Sequence, residues 1–130
     1  MRENILVIAA VRSDIDFEKA LKSNVKIIFD LHPNIHNIGT KIKKAHQNGK
    51  KLFIHLDLAE GIGKDKSGIE FVKRIGADGI ISTRVNIMKL ARDVGIFSVQ
   101  RFFAVDSKSV ETTLEALKAS RPDTCPVLEG

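Results

Sequence analysis

Residues 52–61 read L-F-I-H-L-D-L-A-E-G, from Leu52 to Gly61. Five apolar residues, Leu52, Phe53, Ile54, Leu56 and Leu58, make the stretch a strand. Side chains alternate faces along a strand, so His55 and Asp57 point the same way with Phe53 below them. Leu52, Ile54, Leu56 and Leu58 then form an unbroken apolar opposite face. One wholly apolar face, and one that turns polar towards the C-terminal end, is the pattern of a β/α-barrel strand. The residues that follow, Ala59-Glu60-Gly61-Ile62-Gly63, add a carboxylate and two glycines. Acidic and imidazole groups thus collect at the C-terminal end of a buried strand, where α/β proteins place their sites.

Working outward, the same alternation of apolar run and helical stripe recurs. Ile5 to Val11 is a continuous apolar run ending at Arg12-Ser13-Asp14. Phe17, Ala20 and Leu21 follow at helical spacing, with Asp14 or Asp16 placed to cap. Val25 to Leu31 is a second strand whose tip presents Asp30 and His32 on one face, and Pro33-Asn34 stops it. Ile35, Ile38, Ile42 and Ala45 make the next helical stripe, and Gly49 ends it. A third helix uses Ile69, Val72 and Ile75, with Asp65 as N-cap and Gly76 as stop. Gly79 to Thr83 is a strand ending at Arg84. Asn86 caps a fourth helix carrying Ile87, Leu90, Ala91 and Val94, closed by Gly95. Ile96 to Val105 is a fifth strand. Asp106 and Ser107 start a fifth helix with Val110, Leu114 and Leu117, and Thr124 to Leu128 begins a sixth strand.

Three times the pattern is helix, glycine, strand, at Gly49, Gly76 and Gly95. Such a repeat means an α/β fold with a parallel sheet and right-handed crossovers, about five βα units and the start of a sixth strand. The whole chain, 1–130, reads as a single domain. By length an open doubly wound sheet fits, since a full eight-stranded barrel takes about 250 residues. The strand ends point the other way. Each carries a polar group: Arg12, Asp30 with His32, His55 with Asp57, Arg84, and Gln100 or Arg101. An open sheet concentrates binding groups at one switch point, whereas a barrel mouth takes one contribution per strand. The expectation is a partial TIM-type β/α barrel.

Composition narrows the chemistry. The core must be built from Ile, Val, Leu and Ala, because the chain has 7 Phe and no Trp or Tyr. The formal charge of +5 suits an anionic partner, or simply a lysine-rich surface. The single cysteine, Cys125, excludes an internal disulfide, and with no signal peptide or long apolar run the cytoplasm is the expected compartment, away from any membrane. At the strand ends, Arg12, Arg84 and Arg101 could hold a small anion through guanidinium forks, with Asp30, Asp57 and Glu60 bonding hydroxyls. The same groups could instead form internal ion pairs, Arg84 with Asp57 for example, and spacing does not separate the two. His32, His36 and His55 match no metal signature. The segment 62–68 lacks the P-loop pattern, and Ser82-Thr83 shows no base partner, so no nucleophile–base pair emerges.

Three ordered motifs resemble one family. H-L-D-L-A-E-G (His55 to Gly61), G-A-D-G-I-I-S-T-R (Gly76 to Arg84) and V-Q-R-F-F-A-V-D-S (Val99 to Ser107) are similar to the glycerol-3-phosphate-responsive antiterminators of GlpP type. The opening I-L-V-I-A-A-V-R, then Asp16 to Ser23, and the late R-P-D resemble the same family. The resemblance implies a non-catalytic β/α-barrel regulator of glycerol use that needs no cofactor. Such a protein senses glycerol 3-phosphate and acts on leader messenger RNA to allow transcription past a terminator. It assigns ligand-facing roles to Asp57, Glu60, Arg84 and Arg101, with Arg12 a further candidate and Asp30 and His55 supporting from the interior. No residue is assigned to RNA. The alternatives are a β/α-barrel enzyme on a small phosphorylated substrate, with Asp57 or Glu60 as acid or base, and a remnant without independent role.

The sequence departs from the family pattern in two ways. Members continue for several more βα units, and where their sixth strand carries Glu and then Pro, this sequence has Pro126 and Glu129. Both departures suggest a C-terminally truncated copy or a fragment. Five strands of such a barrel leave two open edges, which invites a second copy to pair.

Overall fold

Short apolar runs become strands here, and the amphipathic stretches between them become helices. The computed structural model describes residues 7–105 and 113–120, with side chains for 7–101. Its order is β1 (Ile8–Val11), α1 (Asp14–Leu21), β2 (Ile27–Asp30), α2 (Ile38–Gln47), β3 (Lys51–His55), a 3₁₀ turn (Leu56–Leu58), α3 (Lys66–Arg74), β4 (Gly79–Ser82), α4 (Val85–Val94), β5 (Ser98–Val105) and β6 (Thr113–Ser120). The first five strands are parallel, and each pairs with its neighbour in sequence, in the order β1-β2-β3-β4-β5. A doubly wound sheet reverses its strand order at a switch point. No reversal occurs among these strands, so the order is that of a barrel wall. Topology overrules the open sheet that length alone favours.

The packing says the same. One cluster joins every helix to one face of the sheet: Phe17 and Leu21 of α1, Ile38 and Ile42 of α2, Ile69 and Val72 of α3, and Ile87 and Ala91 of α4 pack against Val11, Ile28, Leu52, Ile54 and Ile80. A second cluster, Phe29, Leu31, Phe53, Ile81 and Val99 with Ile8, Ile27 and Phe97, comes from the opposite face and contains no helix residue. Helices on one face and a strand-only cluster on the other are the outside and inside of a β/α barrel. On the inner face the Phe53 ring lies 5.4 Å from Phe29 and 5.6 Å from Phe97. Gly79 makes this possible, because a Cβ there would stand 2.7 Å from the Phe53 ring and 2.9 Å from the Phe97 carbonyl.

The helix ends mostly follow the sequence. Asp65 caps α3 by accepting from the Gly68 amide at 2.9 Å. Gly49, Gly76 and Gly95 follow their helices in the left-handed region. Two caps differ. Ser13, not Asp14 or Asp16, caps α1 through the Asp16 amide, because its side chain stands three residues before that orphan N–H. Helix α4 starts two residues earlier than an Asn86 cap allows; Arg84 is its N-cap residue and supplies no side-chain cap bond.

The expected fifth helix is not present at residues 113–120. They form β6, antiparallel to β5 from Ser98↔Ser120 to Val105↔Thr113. The helical spacing of Leu114 and Leu117 yields to pairing, because β5 would otherwise expose a full row of N–H and C=O groups. One of the two expected open edges is thereby covered. Ile5, Asp106, Ser107, Val110 and the proposed last strand Thr124 to Leu128, with Cys125 and Pro126, lie outside the described residues. Among the described residues no helix is long and apolar enough to cross a membrane.

Candidate functional site at the C-terminal mouth

The stretch from Leu52 starts as a strand and stops sooner than its alternation suggests. Strand β3 ends at His55, and the chain turns at once, with the Ala59 amide bonding back to the Leu56 carbonyl at 3.1 Å. Leu56 stays in the helix-side core, but Leu58 is 46% exposed. Asp57 therefore leaves the strand and does not share a face with His55. Its carboxylate reaches β4 instead. Oδ1 accepts from the Ser82 hydroxyl at 2.6 Å, and Oδ2 accepts from both the Thr83 amide and the Thr83 hydroxyl at 2.8 Å. Ser82 Oγ in turn accepts from the Arg84 amide at 3.0 Å. Burial pushes the Asp57 carboxyl up, but the bonds from Ser82 and Thr83, with His55 nearby, prevail and hold it below the ordinary carboxylate value. Asp57 is thus the clamp of the β4–α4 turn. Ser82 and Thr83, which looked idle in sequence without a base, are its donors.

Glu60 is similarly committed. Its carboxylate meets His32 Nε2 at 3.0 Å and accepts from Asn34 Nδ2 at 3.1 Å. Its backbone bonds Pro33 O and Ile35 N at 2.9 Å, tying the β3–α3 loop to the β2–α2 loop. Asp30, expected at the mouth, is buried and turned towards α2, where Oδ2 lies 3.4 Å from Lys41 Nζ and Oδ1 accepts from the His32 amide at 3.0 Å. Continuing the alternation of β2 shows why: Phe29 and Leu31 take the inner face, which leaves Asp30 to the helix side. Arg84 is exposed at the start of α4, and no ion pair joins it to Asp57 among the described residues.

Three of the expected residues do converge. The register pairs Val11 with Asp30 and Asp30 with Ile54, so one row further on Arg12, Leu31 and His55 stand side by side. Arg12 follows Ile8 and Ala10 onto the inner face, His55 follows Phe53, and Arg101 follows Phe97 and Val99. His55 is 2% exposed, and its Nδ1 has no hydrogen-bond partner among the described residues. Burial lowers the imidazole pKa, the Arg101 guanidinium lowers it further and Arg12 adds a little; Asp57 and the residue's own backbone act the other way and lose. Arg101 is itself held below its ordinary value by burial and by Arg12. Two guanidiniums and an uncharged imidazole therefore share the inner face, Arg12 and His55 at the ends of β1 and β3 and Arg101 within β5. The two like charges disfavour each other, and a small anion held by both would offset that cost through charge-assisted bonds. Among the described residues no group of three metal-ligating side chains occurs.

Fold and mouth together define the class: an α/β protein built as a wall of parallel βα units with a basic C-terminal mouth. The chain belongs to the family described as glycerol-3-phosphate responsive antiterminator, which matches residues 7–130. It is 39% identical over 125 residues to the uncharacterized protein YgcP of Escherichia coli (strain K12), covering 95% of this chain and 65% of that protein. Its fold matches a glycerol uptake operon antiterminator regulatory protein from Listeria monocytogenes str. 4b F2365, with TM-score 0.73 and 33% identity over 82% of this chain and 58% of the other. A glycerol uptake operon antiterminator-related protein from Thermotoga maritima MSB8 matches with TM-score 0.69 and 35% identity, over 82% of this chain and 60% of the other. The chain thus spans a little under two thirds of the length of these relatives.

Proposed function

We propose that the chain acts in the cytoplasm in transcription antitermination of glycerol utilisation, binding leader mRNA in response to glycerol 3-phosphate, and that it is a single domain forming the N-terminal portion of the barrel. The observation that carries this reading is the family match over residues 7–130. The mouth supports it: Arg12 and Arg101 supply the charge a phosphate monoester needs. The same geometry weighs against an enzyme. Asp57 and Glu60, the two carboxylates suited to acid–base work, are engaged by Ser82 and Thr83 and by His32 and Asn34. RNA contact would draw on the exposed lysines, Lys43, Lys64 and Lys66 among them.

The test is filter binding of a glycerol-operon leader RNA over a range of salt, with and without glycerol 3-phosphate. The expected result is retention that weakens as salt rises and shifts with the effector. No retention even at low salt would reject the reading.

A further inference from the structure

The mouth offers a phosphate many donors, but a hydroxyl-bearing ligand also needs an acceptor. Guanidiniums cannot accept a hydrogen bond. Asp57 already takes three donors, and Glu60 is drawn across to the β2–α2 loop. His55 remains. It stands on the inner face at the end of β3, in the same row as Arg12 with Leu31 between them, and is almost wholly buried, with a ring nitrogen, Nδ1, that nothing among the described residues bonds. A buried polar nitrogen without a partner is unfavourable, and buried polar atoms are otherwise nearly always satisfied. An uncharged imidazole carries one donor and one acceptor nitrogen, so it supplies what the two arginines lack.

We propose that His55 reads a hydroxyl group of the ligand, accepting its hydrogen bond while Arg12 and Arg101 hold the phosphate. The site then selects hydroxylated phosphate monoesters over bare ones. This rests on the effector reading above and adds to it the residue that discriminates. A site built to bond a hydroxyl rejects the analogue that lacks it, because its own polar group is then left unpaired.

The test is calorimetry at pH 8, where the ring is uncharged, using glycerol 3-phosphate and n-propyl phosphate. The second ligand keeps the phosphate and the three carbons but has no hydroxyls. Wild type is expected to bind glycerol 3-phosphate about tenfold or more tighter than propyl phosphate. His55→Phe keeps a ring of similar size without the acceptor; it should bind the two ligands alike, with propyl phosphate affinity unchanged. His55→Gln, whose amide oxygen accepts, should recover part of the preference. If the Phe variant does not melt cooperatively, His55→Leu takes its place. A His55→Phe or His55→Leu protein that keeps the wild-type preference overturns the assignment of His55, as does a wild type that binds both ligands equally; either result leaves the effector reading standing. A wild type that binds neither ligand overturns the effector reading, and the role of His55 with it.

Discussion

Asp57 gathers three hydrogen bonds from two consecutive residues of another strand end, and this makes it the residue whose loss should be most readable in stability. Its truncation leaves the Ser82 hydroxyl, which sits in a fully buried residue, and the Thr83 amide without their acceptor. Hydrogen bonds to a charged group contribute more than neutral ones, while Thr83 is exposed and can turn to water. Asp57→Ala is therefore expected to lower stability by about 2 kcal/mol at pH 7, as read from urea unfolding. The effect should depend on pH with a defined sign. The folded-state pKa lies below the ordinary 3.8, so the stabilisation is present above about that pH and is lost as pH falls through the folded value. The gap between wild type and Asp57→Ala should thus narrow below about pH 4. A gap that stays constant from pH 7 to pH 3 would show that the carboxylate charge is not what holds the turn.

At the scale of elements, α3 packs closely on the loop before it. A Cβ on Gly68, in the first turn of α3, would fall on the Gly63 carbonyl oxygen and stand 2.7 Å from its carbon. The obstacle is backbone, which has no rotamer with which to move aside. Gly68→Ala should cost about 1–3 kcal/mol, although alanine is the better helix former. A Cβ on Gly39, in the first turn of α2, would meet nothing within 4 Å, and Gly39→Ala should gain about 0.5–1 kcal/mol. Thermal melts that moved both variants in the same direction would contradict this account. The elements themselves were largely legible: apolar runs gave β1 to β5, and Gly49, Gly76 and Gly95 marked helix stops that the backbone confirms. The misreadings share a cause. L-D-L continues an alternating pattern through Leu58, yet the donors that pull Asp57 out of line sit on β4, and no local period reports them. Leu114 and Leu117 keep helical spacing but serve the edge of β5. Arg12 and His55 were readable as strand ends, whereas Arg101, read the same way, lies within β5. Glu60 and Asp30 occupy the expected places along the chain but turn to other neighbours, and Arg84 stays exposed; sequence position says nothing of that.

At the scale of the molecule, the sheet has an unequal pair of edges. β6 covers β5, whereas among the described strands β1 has a neighbour on one side only. The Val11 carbonyl accepts from the Leu31 amide at 2.9 Å, so Val11 faces β2. In a parallel ladder the N–H and C=O of one residue point to the same side, and the next residue points to the other. Ala10 therefore directs both groups outward, and its side chain is exposed. A parallel edge without a partner is a template for a second strand, and we propose that this edge, which has no neighbour among the described strands, takes a strand of a second copy of this chain. Weight-average mass by light scattering should rise with protein concentration. Ala10→Pro removes the outward donor at a place where the β1–β2 ladder does not use it, and proline is tolerated at such edge positions. The variant should keep the far-ultraviolet circular dichroism of the parent and associate less. A parent that stays monomeric across the concentration range, or a folded Ala10→Pro that associates as strongly, would remove β1 as the pairing edge. Lost association with unchanged secondary structure would place the contact on β1 and leave the basic mouth free for ligand.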